Sequence, residues 1–179
     1  MKSWIALFRG INVMGNNMLP MKDLAALLQG LKFREVRTYI QSGNAVFASA
    51  GTAASLAARI GARFERQLDF RPYLVLLEAR ELAQAIAKNP FPEGAADPKS
   101  LHLWFLEARP AAAGVAALEG LRAASERFAV RGKVLYLHAP EGFGISKLAA
   151  RAEKTLGVRG TARNWRTVTT LHAMARGEG

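Results

Sequence analysis

Residues 35–49, EVRTYIQSGNAVFAS, contain two apolar alternating runs that are separated by the polar turn Gln41–Asn44. In the first run Val36, Thr38 and Ile40 alternate with polar or charged residues, which is typical of a half-buried strand. The glycine and asparagine between the runs favour a tight connection. The sequence therefore predicts a β-hairpin here, and the segments on either side decide which sheet it joins.

The segments that flank this hairpin predict a strand and a helix on each side. The apolar run 3–8 predicts a buried strand, and Pro20 opens a helix with a leucine stripe. After the hairpin, a helix is predicted over 53–68 and a strand over 73–77. The order β-α-β-β-α-β is that of the split βαβ, or ferredoxin-like, unit.

The same order of elements is predicted a second time after residue 100. It consists of a strand over 101–106, a helix from Pro110, a hairpin formed by 126–130 and 133–138, a helix over 145–156 and a short strand over 158–163. Asn164 is predicted to cap a last helix that ends near Ala175. We therefore predict an α+β fold of two tandem ferredoxin-like (βαββαβ) halves plus a C-terminal helix.

The predicted domains are an N-terminal half over 1–88 and a C-terminal half with the terminal helix over 89–179. A connector rich in Pro, Gly and Asp joins them at 88–100. No apolar run is long enough to span a membrane, and the apolar N-terminal stretch is too short for a signal peptide. A cytoplasmic protein without a membrane partner is expected.

The charge of the chain points to anionic partners. Its 179 residues include 25 Lys or Arg and 14 Asp or Glu, giving a formal net charge of +11. Seven basic residues and one acid lie between positions 145 and 176. Basic residues also recur at helical spacing in two rows, Arg59, Arg63 and Arg66, and Lys147, Arg151 and Lys154. These rows predict polyanion binding, with solvated helix faces as the alternative.

Few residues suit nucleophilic or metal chemistry. The chain has no cysteine, its three histidines lack metal-ligand spacing, and its acids form no cluster in the sequence. Ser42 lies outside a G-x-S-x-G elbow. No metal site and no cofactor are predicted, and whether the chain is an enzyme stays open.

Three turns have the composition of anion-binding loops. They are Arg9–Asn12, Gln41–Asn44 and the glycine-rich segment 142–147, which ends in Lys147. A glycine-rich turn before a helix can hold phosphate on its backbone N–H groups. The alternative is simple turn chemistry, in which Gly supplies positive φ and Asn or Ser bonds the backbone.

The second predicted sheet carries aromatic residues that could stack on nucleobases. His102 and Trp104 alternate along one strand, and Tyr136 and His138 are expected to share their face. The RNP1 pattern of RNA-binding sheets is missing from both halves. Burial of these faces is therefore the favoured alternative.

Four segments resemble the uncharacterised bacterial family DUF 1697. They are FRGINVMGNNMLPM at 8–21, VRTYIQSGNAVF at 36–47, NPF at 89–91 and TARNW-x-TV at 161–168. The resemblance extends from Ile5 to Leu171. It implies an α+β fold with two ferredoxin-like parts and no particular activity.

The first loop departs from the family pattern. Met14, Asn16 and Met18 stand where the resemblance leads us to expect a glycine and two lysines. An anion site that relied on those lysines would be weakened here, so Arg9 and the C-terminal arginines would have to supply the charge.

The sequence predicts one anion-binding site that gathers these motifs, with nucleic acid as the favoured ligand. Its residues are Arg9, Asn12, Gln41, Ser42, Asn44, Lys147, Arg163, Asn164 and Trp165. The arginines would contact phosphate, the amides and Ser42 would form hydrogen bonds, and Trp165 would stack on a ring. Two alternatives remain: an enzyme or sensor for a phosphorylated or nucleotide ligand, and a structural or partner-binding module without a ligand.

Overall fold

Residues 1–15 and 17–178 are described by the structure, which is a computed structural model. Residue contacts divide the chain into two units. Unit 1 comprises Met1–Gln84 and Thr170–Gly179, and unit 2 comprises Ala85–Thr169. Each unit contains one four-stranded antiparallel sheet with its helices, so the predicted α+β class is confirmed.

Unit 1 has the ferredoxin-like order. Its elements are β1 (Lys2–Arg9), α1 (Met21–Gly30), β2 (Arg34–Tyr39), β3 (Asn44–Ser49), α2 (Ala53–Leu68), β4 (Tyr73–Glu78) and the first part of α3 (Ala79–Ala87). The strands lie in the order β2-β3-β1-β4, and each neighbouring pair is antiparallel. The hairpin quoted above therefore pairs with β1 through its second strand.

Unit 2 repeats this topology. Its elements are β5 (Leu101–Leu106), α4 (Ala112–Leu118), β6 (Arg127–Arg131), β7 (Val134–His138), α5 (Lys147–Leu156), β8 (Gly160–Asn164) and the start of α6 (Trp165–Ala175). The strand order is β6-β7-β5-β8, which corresponds strand for strand to that of unit 1. The two predicted ferredoxin-like halves and the C-terminal helix are confirmed.

Each sheet packs its helices on one face through alternating residues. In β1, Trp4, Ala6 and Phe8 belong to the core cluster of unit 1, together with Leu56, Ile60 and Phe64 of α2. In unit 2, Leu106, Leu135 and Leu137 of the sheet cluster with Leu148, Ala152 and Leu156 of α5. Every second residue of a strand thus packs against the apolar face of a helix.

Helix ends follow the local sequence closely. Thr52 and Ser55 form a capping box at the start of α2, whose bounds agree with the prediction. Gly157 ends α5 in the left-handed conformation, with φ of 66°, as expected for a C-terminal glycine. The predicted start of α5 at residue 145 is wrong. The hydroxyl of Ser146 caps α5, and Phe143–Ile145 forms a short 3-10 turn before it.

The end of α6 belongs to unit 1, whereas the sequence assigned residues 89–179 to one half. Ser3 Oγ donates a hydrogen bond to the carbonyl of Ala175 over 3.2 Å, and Arg37 donates to the carbonyl of Met174. These bonds hold the end of α6 to β1 and β2, so contacts group 170–179 with unit 1.

The expected face of Tyr136 and His138 is wrong. Leu103 lies opposite Tyr136 and Leu101 lies opposite His138 in the register of β5 and β7, whereas His102 lies opposite Leu137. Because opposite residues share a face of the sheet, Tyr136 and His138 lie on the face away from His102 and Trp104. Tyr136 is buried, and its hydroxyl donates to the carbonyl of Ala85 over 2.7 Å.

None of the helices within the described residues is long and apolar enough to cross a membrane. Asn16, one of the departures from the family pattern, lies outside the described residues.

Candidate functional site

Asn12 joins the first motif loop of unit 1 to the hairpin turn. Its Nδ2 donates to the carbonyl of Leu19 at 2.8 Å and to that of Gln41 at 2.9 Å. Its Oδ1 accepts a hydrogen bond from the Leu19 backbone over 2.6 Å. Its φ of 53° is left-handed, a conformation that asparagine adopts more readily than most residues. Both amide hydrogens of Asn12 are therefore used within the protein.

Asn44 stabilises the hairpin turn from inside. It is fully buried, and its Nδ2 donates to the carbonyl of Tyr39 at 3.1 Å and to Ser42 Oγ at 3.0 Å. The neighbouring Gly43 has φ of 83°, and a Cβ there would lie 2.7 Å from Ile11 Cδ1. The close packing of the first loop and the turn therefore requires glycine at position 43.

The structure brings together five of the predicted site residues in unit 1. Arg9 ends β1 and Gln41 and Ser42 follow β2, and all three are exposed, whereas Asn12 and Asn44 hold the loops beneath them. The two asparagines position the loops that carry the exposed three.

Arg163 and Asn164 lie on opposite faces of the sheet of unit 2. Arg163 is opposite Leu103 and Asn164 is opposite His102 in the register of β5 and β8. Arg163 Nη1 donates to Thr161 Oγ1 and to the carbonyl of Ala162, each at 2.8 Å. Burial lowers the pKa of the Arg163 guanidinium to about 10, so it keeps its charge at neutral pH.

Asn164 and Trp165 form the start of α6. Asn164 Oδ1 accepts the backbone N–H of Thr167 over 2.9 Å, which is the predicted N-terminal cap. The backbone N–H of the half-buried Trp165 donates to the carbonyl of Pro98 over 3.2 Å. The segment 163–165 therefore links β8 to α6, and Arg163 is its one charged residue.

The basic row of α5 lies on the surface of unit 2. Lys147, Arg151 and Lys154 are exposed, while Leu148, Ala152 and Leu156 face the core. Within the described residues none of the three makes an ion pair. Glu153 lies on the same helix, and its Oε1 accepts the backbone N–H of Gly160 at 3.0 Å.

A cleft of about 300 Å³ lies at the beginning of α5. Lys147, Ser146 and Arg122 line it, and so do the carboxylates of Glu126 and Glu141. Arg122 is already paired with Glu119 at 2.5 Å, and Glu126 accepts the backbone N–H of Ala123 at 2.9 Å. The lining is therefore of mixed charge.

The basic row of α2 differs, because two of its arginines contact α1 or their own helix. Arg59 Nη2 donates to the carbonyl of Leu31 at 2.7 Å, and the guanidinium lies 5.0 Å from the ring centre of Phe33. Arg63 Nε donates to Gln67 Oε1 at 2.8 Å. Cations at the end of α1 complement its dipole and unpaired carbonyls. This row has a structural role at two of its three positions.

Sequence reasoning missed an aromatic contact in unit 2. Phe143 stacks on His102 with ring centres 3.8 Å apart and planes inclined by 21°, and its centre lies 6.0 Å from that of Trp104. Burial lowers the pKa of His102 to about 4, so its imidazole is neutral at physiological pH. The one signal available was the alternation of His102 and Trp104, because Phe143 reads only as part of a glycine-rich turn.

The predicted residues thus belong to separate groups. Arg9, Asn12, Gln41, Ser42 and Asn44 are in unit 1, and Lys147 and the 163–165 motif are in unit 2. Within residues 1–15 and 17–178, no group of three or more Asp, Glu, His or Cys residues is arranged to hold a metal ion.

The chain is an α+β protein with two ferredoxin-like units. Each unit has a polar loop motif at the end of a strand. The family described as "Protein of unknown function (DUF1697)" matches residues 1–136, and the chain belongs to this family. No curated protein matches the sequence.

The comparison with solved structures supports this fold. The conserved bacterial protein SP0830 from Streptococcus pneumoniae matches the chain with a TM-score of 0.77 and 22% sequence identity. The alignment covers 97% of this chain and 98% of that one. At this identity the likeness shows the fold alone.

Proposed function

We propose that this protein binds a polyanion, with single-stranded nucleic acid as the favoured ligand. The observation that carries the proposal is the exposed row Lys147, Arg151 and Lys154 on α5, which makes no ion pair within the described residues. Phosphates that approach this row would relieve the repulsion between its like charges and release counterions.

The spacing of the row suits a polymer better than a single small anion. Lys147 and Lys154 are seven residues apart on one helix, which corresponds to about 10 Å along its axis. The surrounding segment 145–176 has seven basic residues and one acid. A chain of phosphates could contact the three exposed cations of α5 at once.

The motif residues have distinct roles in this proposal. Arg163 adds positive charge in unit 2, and Trp165 is the proposed stacking residue beside it. In unit 1, Arg9, Gln41 and Ser42 would form a contact region of their own. Asn12 and Asn44 support that region indirectly, because their amide hydrogens already bond to the protein.

The experiment compares two triple variants that remove the same charge. Lys147→Gln, Arg151→Gln and Lys154→Gln together should weaken binding of a fluorescent single-stranded RNA at least ten-fold in low salt. The control changes the exposed Lys22, Lys32 and Arg66 of unit 1 to glutamine. It should weaken binding much less, because these residues form no row. Equal losses in both variants would contradict a site on α5.

The cleft at the beginning of α5 supports a second candidate, a small phosphorylated ligand. Ser146, Lys147 and Arg122 line it and offer donors for a phosphate group. A ligand present at about 100 times its Kd adds about 2.7 kcal/mol of stability, which a thermal-shift assay detects. Inorganic phosphate, AMP and ATP are suitable probes, and Lys147→Gln should abolish any shift. No shift with any of them would remove this candidate.

A further inference from the structure

We propose that the His102 and Trp104 face of β5 is a stacking site for an unpaired nucleobase, occupied in this structure by the protein's own Phe143. The inference rests on the proposed function, because it specifies how a single strand would engage unit 2. Base stacking on aromatic side chains is the usual way in which proteins hold single strands.

The geometry of the contact is that of two stacked rings. Phe143 and His102 are nearly parallel, at 21°, with centres 3.8 Å apart, and the Trp104 ring lies 6.0 Å from Phe143 on the same face of the strand. His102, Trp104 and Phe143 are all only partly buried. Trp104 and Phe143 also pack against the core cluster beneath α5, so a flat ring of similar size could replace Phe143 only at the partly exposed edge of that cluster.

Two nitrogens at this site cannot form hydrogen bonds with the phenyl ring of Phe143. His102 Nδ1 and Trp104 Nε1 are buried, and neither has a hydrogen-bond partner within the described part of the chain. Buried polar atoms without partners are uncommon and cost free energy. The edge of a nucleobase carries both donors and acceptors, which Phe143 lacks. A base in the place of Phe143 would lie over the His102 ring, so the nitrogen that its edge could satisfy is Trp104 Nε1, which would donate to a base acceptor.

The turn that carries Phe143 has a glycine on each side of that residue. Gly142 precedes it with φ of 126°, and a Cβ added to Gly144 would meet nothing within 4 Å. Glycines permit backbone rotations that other residues resist. The turn leads directly into Ser146 and Lys147. A base that displaced Phe143 would therefore have its phosphates near the start of the basic row.

The two sides of the contact should respond to substitution in opposite directions. Phe143→Ala removes the competing ring and should tighten binding of a labelled oligoadenylate about ten-fold, which equals about 1.4 kcal/mol. Adding His102→Ala to that variant should reverse the gain. Phe143→Leu, which preserves more of the packing, should give a smaller gain. A purely structural Phe143 would give no gain in any of them.

Two controls separate stacking from other effects. Phe128→Ala truncates another aromatic residue that packs against the same core cluster, so it should lower stability and leave affinity unchanged. An abasic oligonucleotide of the same length should bind wild type and Phe143→Ala equally. A gain with the abasic strand, or no gain with oligoadenylate in folded Phe143→Ala and Phe143→Leu, would overturn the stacking site.

The outcome is distinguishable from failure of the proposed function. If the triple variant of α5 weakens binding but the Phe143 variants bind like wild type, only the stacking site is refuted. If neither wild type nor Phe143→Ala retains oligoadenylate in low salt, both proposals are refuted.

Discussion

Asn12 Nδ2 lies 2.9 Å from the carbonyl oxygen of Gln41, so one side chain joins two motifs that are 29 residues apart in the chain. The same amide holds Leu19 through a donor and an acceptor bond. The conformations of the two motifs therefore depend on each other. The amide hydrogens of Asn12 are thus used within the protein.

Replacing Asn12 should destabilise unit 1. Asn12→Ala removes three hydrogen bonds at about 1 kcal/mol each and leaves a left-handed φ that alanine tolerates poorly, so a loss of about 3 kcal/mol is expected. Urea denaturation provides the measurement. Val13→Ala, at an exposed neighbouring position, should change stability by less than about 0.5 kcal/mol. Equal midpoints for the two variants would argue against a bridging role.

Elements with strong local signals could be predicted from the sequence. The apolar face formed by Leu56, Ile60 and Phe64 defines α2, and Gly157 defines the end of α5. The hairpin follows from the alternation around its turn. In each case the residues that determine the structure are neighbours in the chain, so periodicity and capping are sufficient.

Features that depend on residues far apart in the chain could not be predicted in this way. The face of the sheet on which Tyr136 lies follows from its register against Leu103 in the neighbouring strand. Phe143 stacks on His102, which lies some 40 positions earlier, and no local pattern in the sequence indicates that contact. The bonds from Ser3 and Arg37 to the end of α6 are also long-range. Tertiary pairing decides these features after the local elements have formed.

Two arginines of α2 should differ in their contribution to stability. Arg59→Ala removes the hydrogen bond to Leu31 and the cation–π contact with Phe33, so unfolding should become easier by about 1 kcal/mol. Arg66→Ala, in the exposed last turn of the same helix, serves as the matched control and should cost less than half as much. Thermal unfolding distinguishes the two. A larger effect at Arg66 would contradict the assignment of Arg59 to the end of α1.

The burial of His102 predicts a dependence of stability on pH. Its folded pKa of about 4 lies below the usual 6.5, so the unfolded chain binds the proton more readily. Stability from this group is complete above pH 6.5 and is lost as the pH falls from 6.5 towards 4. By linkage the loss between pH 7.5 and pH 5 is about 2 kcal/mol.

Urea denaturation of His102→Phe, which keeps a ring against Phe143, measures this contribution. In this variant the free energy of unfolding should decline much less between pH 7.5 and pH 5 than in wild type. His138→Gln is a useful companion, because burial also lowers the pKa of His138 and its contribution has the same sign. An unchanged decline in His102→Phe would show that His102 is not the group responsible.

The salt dependence of nucleic-acid binding tests polyanion recognition by α5 most directly. For a single strand, log K falls against log salt with a slope of about 0.7 per phosphate contact. Removing Lys147, Arg151 and Lys154 together should therefore reduce the magnitude of the slope by about 2, and the unit 1 control should keep nearly the wild-type slope. An identical slope in wild type and the α5 variant would contradict the proposal.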